Sequence, residues 1–102
     1  MQIIELQAGA WRSILDFYRA LLAALQAPSW HGESLDAVID SVVWGGINGL
    51  QPPYTIRITG GASLPPDIRE EIELLARHIA EHREDHQRWH SRDVEVALEF
   101  VL

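Results

Sequence analysis

Hydrophobic positions along the chain change period several times, and each change marks an element. Gln2 to Leu6 is short and β-prone, and reads as a buried first strand. Ile14, Phe17, Tyr18, Leu21, Leu22 and Leu25 then recur at helical spacing, predicting a helix from about Trp11 or Ser13 to Leu25. Ala27-Pro28-Ser29 ends it, because proline cannot continue a helix. A shorter helix runs from Ser34, a favourable N-cap, to about Val43, and Gly45-Gly46 stops it. After a loop over 47–53, the β-branched run Tyr54 to Thr59 reads as a strand closed by Gly60-Gly61. Pro65-Pro66-Asp67 opens a long helix with the apolar stripe Ile68, Ile72, Leu75 and Ile79. Past Ala80 the stripe fades, which favours an end before His90. Val94 to Phe100 alternates almost perfectly and forms a last strand. Strands separated by helices favour parallel pairing. The expected fold is α/β, a three-stranded parallel β-sheet packed with three to four α-helices, as a single domain over residues 1–102.

Composition narrows the function. A length of 102 residues suits one compact domain, and 47% hydrophobic residues can build a core. With 8 basic and 15 acidic residues the formal charge is -7. Direct nucleic-acid binding needs clustered Lys and Arg and is disfavoured. The charge fits a basic protein partner or simple solubility. Cysteine is absent, so the chain has no disulfide or thiolate chemistry, and a reducing cytoplasm is the expected location. The start, Met1-Gln2-Ile3-Ile4-Glu5, lacks the basic and apolar regions of a signal peptide, and no segment approaches a membrane span. A soluble protein without cofactor is expected.

The second helix carries the most specific pattern. At 100° per residue, Leu35, Val38, Ile39 and Val42 share an arc that must face the core. Asp36 and Asp40 stack one turn apart on another side, Glu33 projects there if its geometry is nearly helical, and Trp44 borders the same face with Trp30 at its entrance. Two acids at i, i+4 repel by ~0.2–0.5 kcal/mol. The helix dipole partly compensates Asp36 in the first turn but not Asp40 near the other end. Local stability therefore gives no reason for the row. A solvated polar face is the plain alternative. A hydrolytic carboxylate pair would need a cleft and one raised pKa, and a short surface helix offers neither.

Phe17-Tyr18, Pro28 and the run Trp30, Gly32, Glu33, Leu35, Asp36, Ala37, Asp40 together resemble the barstar family of ribonuclease inhibitors. Pro52-Pro53-Tyr54 before a β-branched strand, then a late amphipathic helix and a final strand, fit the same order. The resemblance implies an immunity protein whose acidic helix and preceding loop plug a ribonuclease active site. The carboxylates would then lie where substrate phosphate sits. It carries over Trp30, Gly32, Asp36 and Asp40. It also implies a further acid from the last helix, for which Glu73, Glu81 and Glu84 are all candidates. Ile39 stands where the family often has an aromatic, and Ser34 where asparagine is common. The expected partner-binding set is Trp30, Gly32, Glu33, Asp36, Asp40 and Trp44, with no catalytic residue and no metal. The expected partner is a basic protein, a ribonuclease toxin in a 1:1 complex, bound by a chain that is monomeric when free. The alternative is the same fold serving a non-ribonuclease partner.

His78, His82, His86 and His90 recur every four residues. Such a row drifts by about 40° per step, so at most one adjacent pair could share an ion. Partly exposed, solvated imidazoles are the main expectation, with partner contact, pH response and metal as the other readings. Trp11 is expected to pack at the start of the first helix. Trp89 is read as a staple holding the connection to the last strand, or else as an exposed contact.

Overall fold

The computed structural model describes residues 2–101. Strand β1 (Gln2–Gln7) leads to α1 (Ile14–Ala24), and α2 (Leu35–Ile39) widens directly into a π-helical turn, Asp40–Gly45. Then follow β2 (Tyr54–Thr59), a 3-10 turn (Gly61–Ser63), α3 (Pro66–His90) and β3 (Val96–Phe100). Among the described residues there are three α-helices, the lower end of the three to four expected.

The strands pair parallel in the order β1-β2-β3, with Gln2 opposite Tyr54 and Tyr54 opposite Val96. Alternation then sorts the two faces. Ile4, Leu6, Tyr54, Ile56, Ile58, Val96, Leu98 and Phe100 pack into the core. On the other face, Arg57 reaches Glu99 at 3.0 Å and Glu5 at 3.9 Å, a charged ladder across all three strands. Parallel strands need crossovers, and α1 and α3 supply helical cover for the core face.

Local chemistry explains where the helices begin. Ser13 caps α1: its Oγ accepts the Asp16 N–H at 3.2 Å, and Asp16 accepts the Ser13 N–H in return. A further N–H from Arg12 at 2.8 Å, the largest influence, holds the Asp16 carboxyl below its ordinary range. Phe17, Leu21 and Leu25 of this segment are buried, as are Val38 and Ile39 of α2 and all four stripe residues of α3. Trp11 is buried with its ring 5.4 Å from Phe17, packed at the start of α1 as its position suggested. Among the described residues, no helix is long and apolar enough to cross a membrane.

The junction between α3 and β3 departs from the pattern-based expectation. The helix continues to His90, beyond the end of its apolar stripe, and stops at Ser91 in the left-handed region at φ 55°. Glu95 also adopts φ 57°, which delays the strand to Val96. Arg83 supplies the hold. It donates from Nε and Nη2 to both Asp93 oxygens at 2.6 Å, and from Nη1 to the Val96 carbonyl at 3.1 Å. His86 Nδ1 adds a bond to the Arg92 carbonyl at 3.3 Å. Trp89 is 78% exposed and is not the staple; the Arg83 fork does that work.

The same fork gives a pH signature. Its bonds from Arg83 are the main reason that the Asp93 carboxyl is depressed to about 2. A depressed acid stabilises the fold above its unfolded value, ~3.9, and that stabilisation is lost as pH falls through the folded value. Asp93→Asn should therefore be less stable than the parent at neutral pH. The difference should close between about pH 4 and pH 2 in urea unfolding. A gap that persists unchanged at about pH 2 would remove the fork from the account of stability.

Candidate functional site

Ser34 turns the chain from loop into helix. Its extended backbone and its Oγ, which accepts the Ala37 N–H at 3.3 Å, cap α2. The loop before it is fixed from within. His31 is buried, with Nδ1 2.7 Å from the Gly32 carbonyl and Nε2 2.7 Å from Ser41 Oγ. A carbonyl only accepts, so Nδ1 carries the proton; in the neutral ring Nε2 accepts from the Ser41 hydroxyl. Asn48 Nδ2 donates to that same hydroxyl at 3.1 Å, joining the loop, the helix and the following segment in one buried network. Gly32 permits the close fold-back: a Cβ there would lie 3.0 Å from that of Ala37.

This framework brings Trp30, Gly32 and Asp40 together. They line an open cavity of about 300 Å³ with His31, Ala37, Ser41, Gly45 and Ile47. Trp30 is 72% exposed and Ile47 48%, so the rim is apolar around one carboxylate. Asp36 is exposed one turn earlier. Tyr18 donates its hydroxyl to Glu71 nearby. Burial first, then Glu71, and last the field of Asp36 push that hydroxyl well above its ordinary range. Among the described residues neither Asp36 nor Asp40 has an ion-pair partner. Glu33 does: Arg19 Nε meets it at 2.9 Å. Its carboxylate is engaged within the chain and anchors the loop to α1.

Trp44 takes a course that the α-helical wheel did not give. In the π turn, hydrogen bonds reach five residues back and each turn is wider. Ser41, Val42 and Val43 are consecutively buried, and a Cβ on Gly45 would meet the Asp40 carbonyl oxygen at 2.9 Å. Trp44 does not line the cavity of Asp40. It turns to α3, where its Nε1–H donates to His82 Nδ1 at 3.0 Å and its ring lies 5.1 Å from that of His86 and 6.1 Å from that of His90. A second cavity, of about 410 Å³, opens on that side between Trp44, Asn48, Tyr54, His86 and Arg92.

The flank of α3 that faces these residues is set by its contacts. Glu71 meets α1, and His82 meets the π turn. At about 100° per residue, His78 and Asp85 share that flank. Glu73 and Glu84 fall roughly half a turn away, and Glu81 points outward between the two sides. All three are exposed. The acids on that flank are Glu71, bonded to Tyr18, and Asp85, paired with Arg88; the histidines fill the space between them. The histidines are also less solvated than expected, since His86 is buried and only His90 is fully exposed. Among the described residues, no group of three or more His, Cys, Asp or Glu is arranged to hold a metal ion.

Sequence reasoning missed His31, which stands between Trp30 and Gly32 and has no periodic signature; its partner Ser41 lies ten positions on. It missed Glu71 because only the pairing with Tyr18, far away in sequence, reveals it.

Comparison with curated proteins returns no match. The fold nonetheless agrees with a recognised family. The family model for barstar, the barnase inhibitor, matches residues 1–101, and the chain belongs to the barstar family.

Proposed function

We propose that this chain is an immunity-type inhibitor that blocks the active site of a ribonuclease toxin with α2 and the loop before it. Members of the family are inhibitors rather than enzymes. The observation that carries the proposal is the pair Asp36 and Asp40, exposed and without ion-pair partners on a rigidly seated helix. Unpaired acids held by buried apolar neighbours present fixed negative charge to a basic cleft. There they replace substrate phosphates without chemistry that the enzyme could complete. The charge of -7 speeds the encounter by long-range attraction. Trp30 and Ile47 exclude water around Asp40, as expected for a central hot spot. Gly32 lets the loop lie close, Glu33 braces it through Arg19, and Trp44 sets the second edge of the face. The complex is 1:1, the free chain is monomeric, and both act in the cytoplasm that the toxin would otherwise attack.

Barnase, and a nuclease encoded beside this chain where one exists, are the probes. Titration should abolish RNA cleavage at one equivalent, and the association rate should fall steeply with salt. Full cleavage with either enzyme under micromolar excess of the chain would reject the proposal. So would equal inhibition by parent, Asp36→Ala and Asp40→Ala.

A further inference from the structure

We infer that the partner-binding face is gated by pH through His82, whose neutral imidazole holds Trp44 in place. The inference rests on the reading of α2 and its π turn as the inhibitory element.

The argument starts from one hydrogen bond. An indole Nε1–H can only donate. Its partner at 3.0 Å is His82 Nδ1, which must therefore be unprotonated, with the ring's one proton on Nε2. This bond from Trp44 to α3 therefore exists only while His82 is neutral, whereas the ring contacts with His86 and His90 do not depend on it. A proton taken from solvent at Nδ1 sets two donors against each other, and the indole must leave. Imidazole is the side chain that most often changes charge between neutral and mildly acidic pH.

The surroundings act in the same direction. His78 stacks on His82 with ring centres 6.4 Å apart, and His86 and His90 lie 4.5 Å apart. Protonation thus turns a neutral strip into a row of cations beside the acidic helix. The rings of His86 and His90 flank the Trp44 ring, so as cations they set positive charge beside the indole. The charged groups around the row come from every neighbouring element, and Glu81 stands exposed at its edge on α3. From α1 comes Tyr18, bonded to Glu71; from α2 Asp36; from the π turn Asp40, which lines the other cavity. On α3 itself, Asp85 is paired with Arg88. β3 sends its only acid, Glu99, to Arg57 on the opposite face of the sheet. The connection before β3 brings Arg92, Glu95 and Asp93, of which Asp93 is held by Arg83. A basic partner therefore meets added positive charge and a displaced tryptophan, and the complex weakens as pH falls.

His82→Asn tests this directly, because Asn Oδ1 keeps an acceptor at the Nδ1 position but does not titrate. In the free chain, the indole N–H resonance of Trp44, assigned with Trp44→Phe, should shift together with the His82 ring signals in the parent. In His82→Asn it should stay constant. For the complex with barnase, Kd in the parent should rise about tenfold more than in His82→Asn between about pH 7.5 and pH 5.5. The enzyme's own titration is common to both and cancels. An indole signal indifferent to His82, or equal pH dependence of Kd in parent and variant, overturns the inference. If barnase is not bound at any pH, the inhibitory reading fails, while the indole titration still decides the Trp44–His82 coupling.

Discussion

Asp40→Ala is expected to lose about 2–5 kcal/mol of binding to a basic ribonuclease, roughly 30- to several-thousand-fold in Kd. That range is the general one for truncating one member of a buried interfacial charge pair, and barnase–barstar is among the systems that define it. The physical reason lies in the seat of the residue. Asp40 projects into a cavity rimmed by exposed Trp30 and Ile47, so a partner closing over it strips water from its carboxylate. The cognate cation, left without its counter-charge in that dry site, bears most of the loss. The fold should not suffer. Removing Asp40 relieves its i, i+4 repulsion with Asp36, worth ~0.2–0.5 kcal/mol. The dipole argument contributes less than the sequence suggested, because the π turn carries the helix on to Gly45 and Asp40 is not at its end. Calorimetric titration paired with urea unfolding separates the two effects. Affinity within about threefold of the parent, or a stability loss above about 1 kcal/mol, would sink the assignment.

The largest effect on stability should come from Phe17→Ala, at about 3–5 kcal/mol. Phe17 is fully buried, with rings of Trp11 and Tyr18 at 5.4 and 4.9 Å. Truncation leaves a cavity that two fixed aromatic rings cannot fill. Small domains have only about 5–15 kcal/mol in total, so the variant should unfold at much lower urea. Trp89→Ala, which removes a larger side chain, should change stability by less than about 0.5 kcal/mol because that ring is 78% exposed. If the two variants unfold at similar urea concentrations, the core described around α1 is wrong.

Much of this fold is written in short-range periodicity. The stripe of α3, the arc Leu35, Val38, Ile39 and Val42, and the alternation of the strands each depend on neighbours a turn or two away, and each turns its apolar residues to the core; β1, expected to be buried, is instead an edge strand whose Ile4 and Leu6 are only half-buried. What eluded the pattern depends on distant partners. Trp44 left the angular position of an α-helix because the helix widens and its indole finds His82 on another element. The end of α3 is set by the grip of Arg83 on Asp93, which replaces the apolar stripe as the reason to stay ordered. The residues proposed for the site divide in the same way. Trp30, Gly32 and Asp40 converge on one cavity. Glu33 is already occupied by Arg19, a pairing across two elements that no local rule reveals.

The parallel order of the sheet also has a consequence in time. Parallel neighbours cannot be joined by a tight turn, so each strand waits for a whole crossover before it finds its partner. The acidic helix is synthesised early, yet the surfaces on which it rests belong to α3, which in turn is tied to the last strand through Arg83. During translation the helix therefore leaves the ribosome without its support, and loop closure sets the pace at which that support arrives. The face formed by α2 and the loop before it is therefore completed late, when the last strand docks.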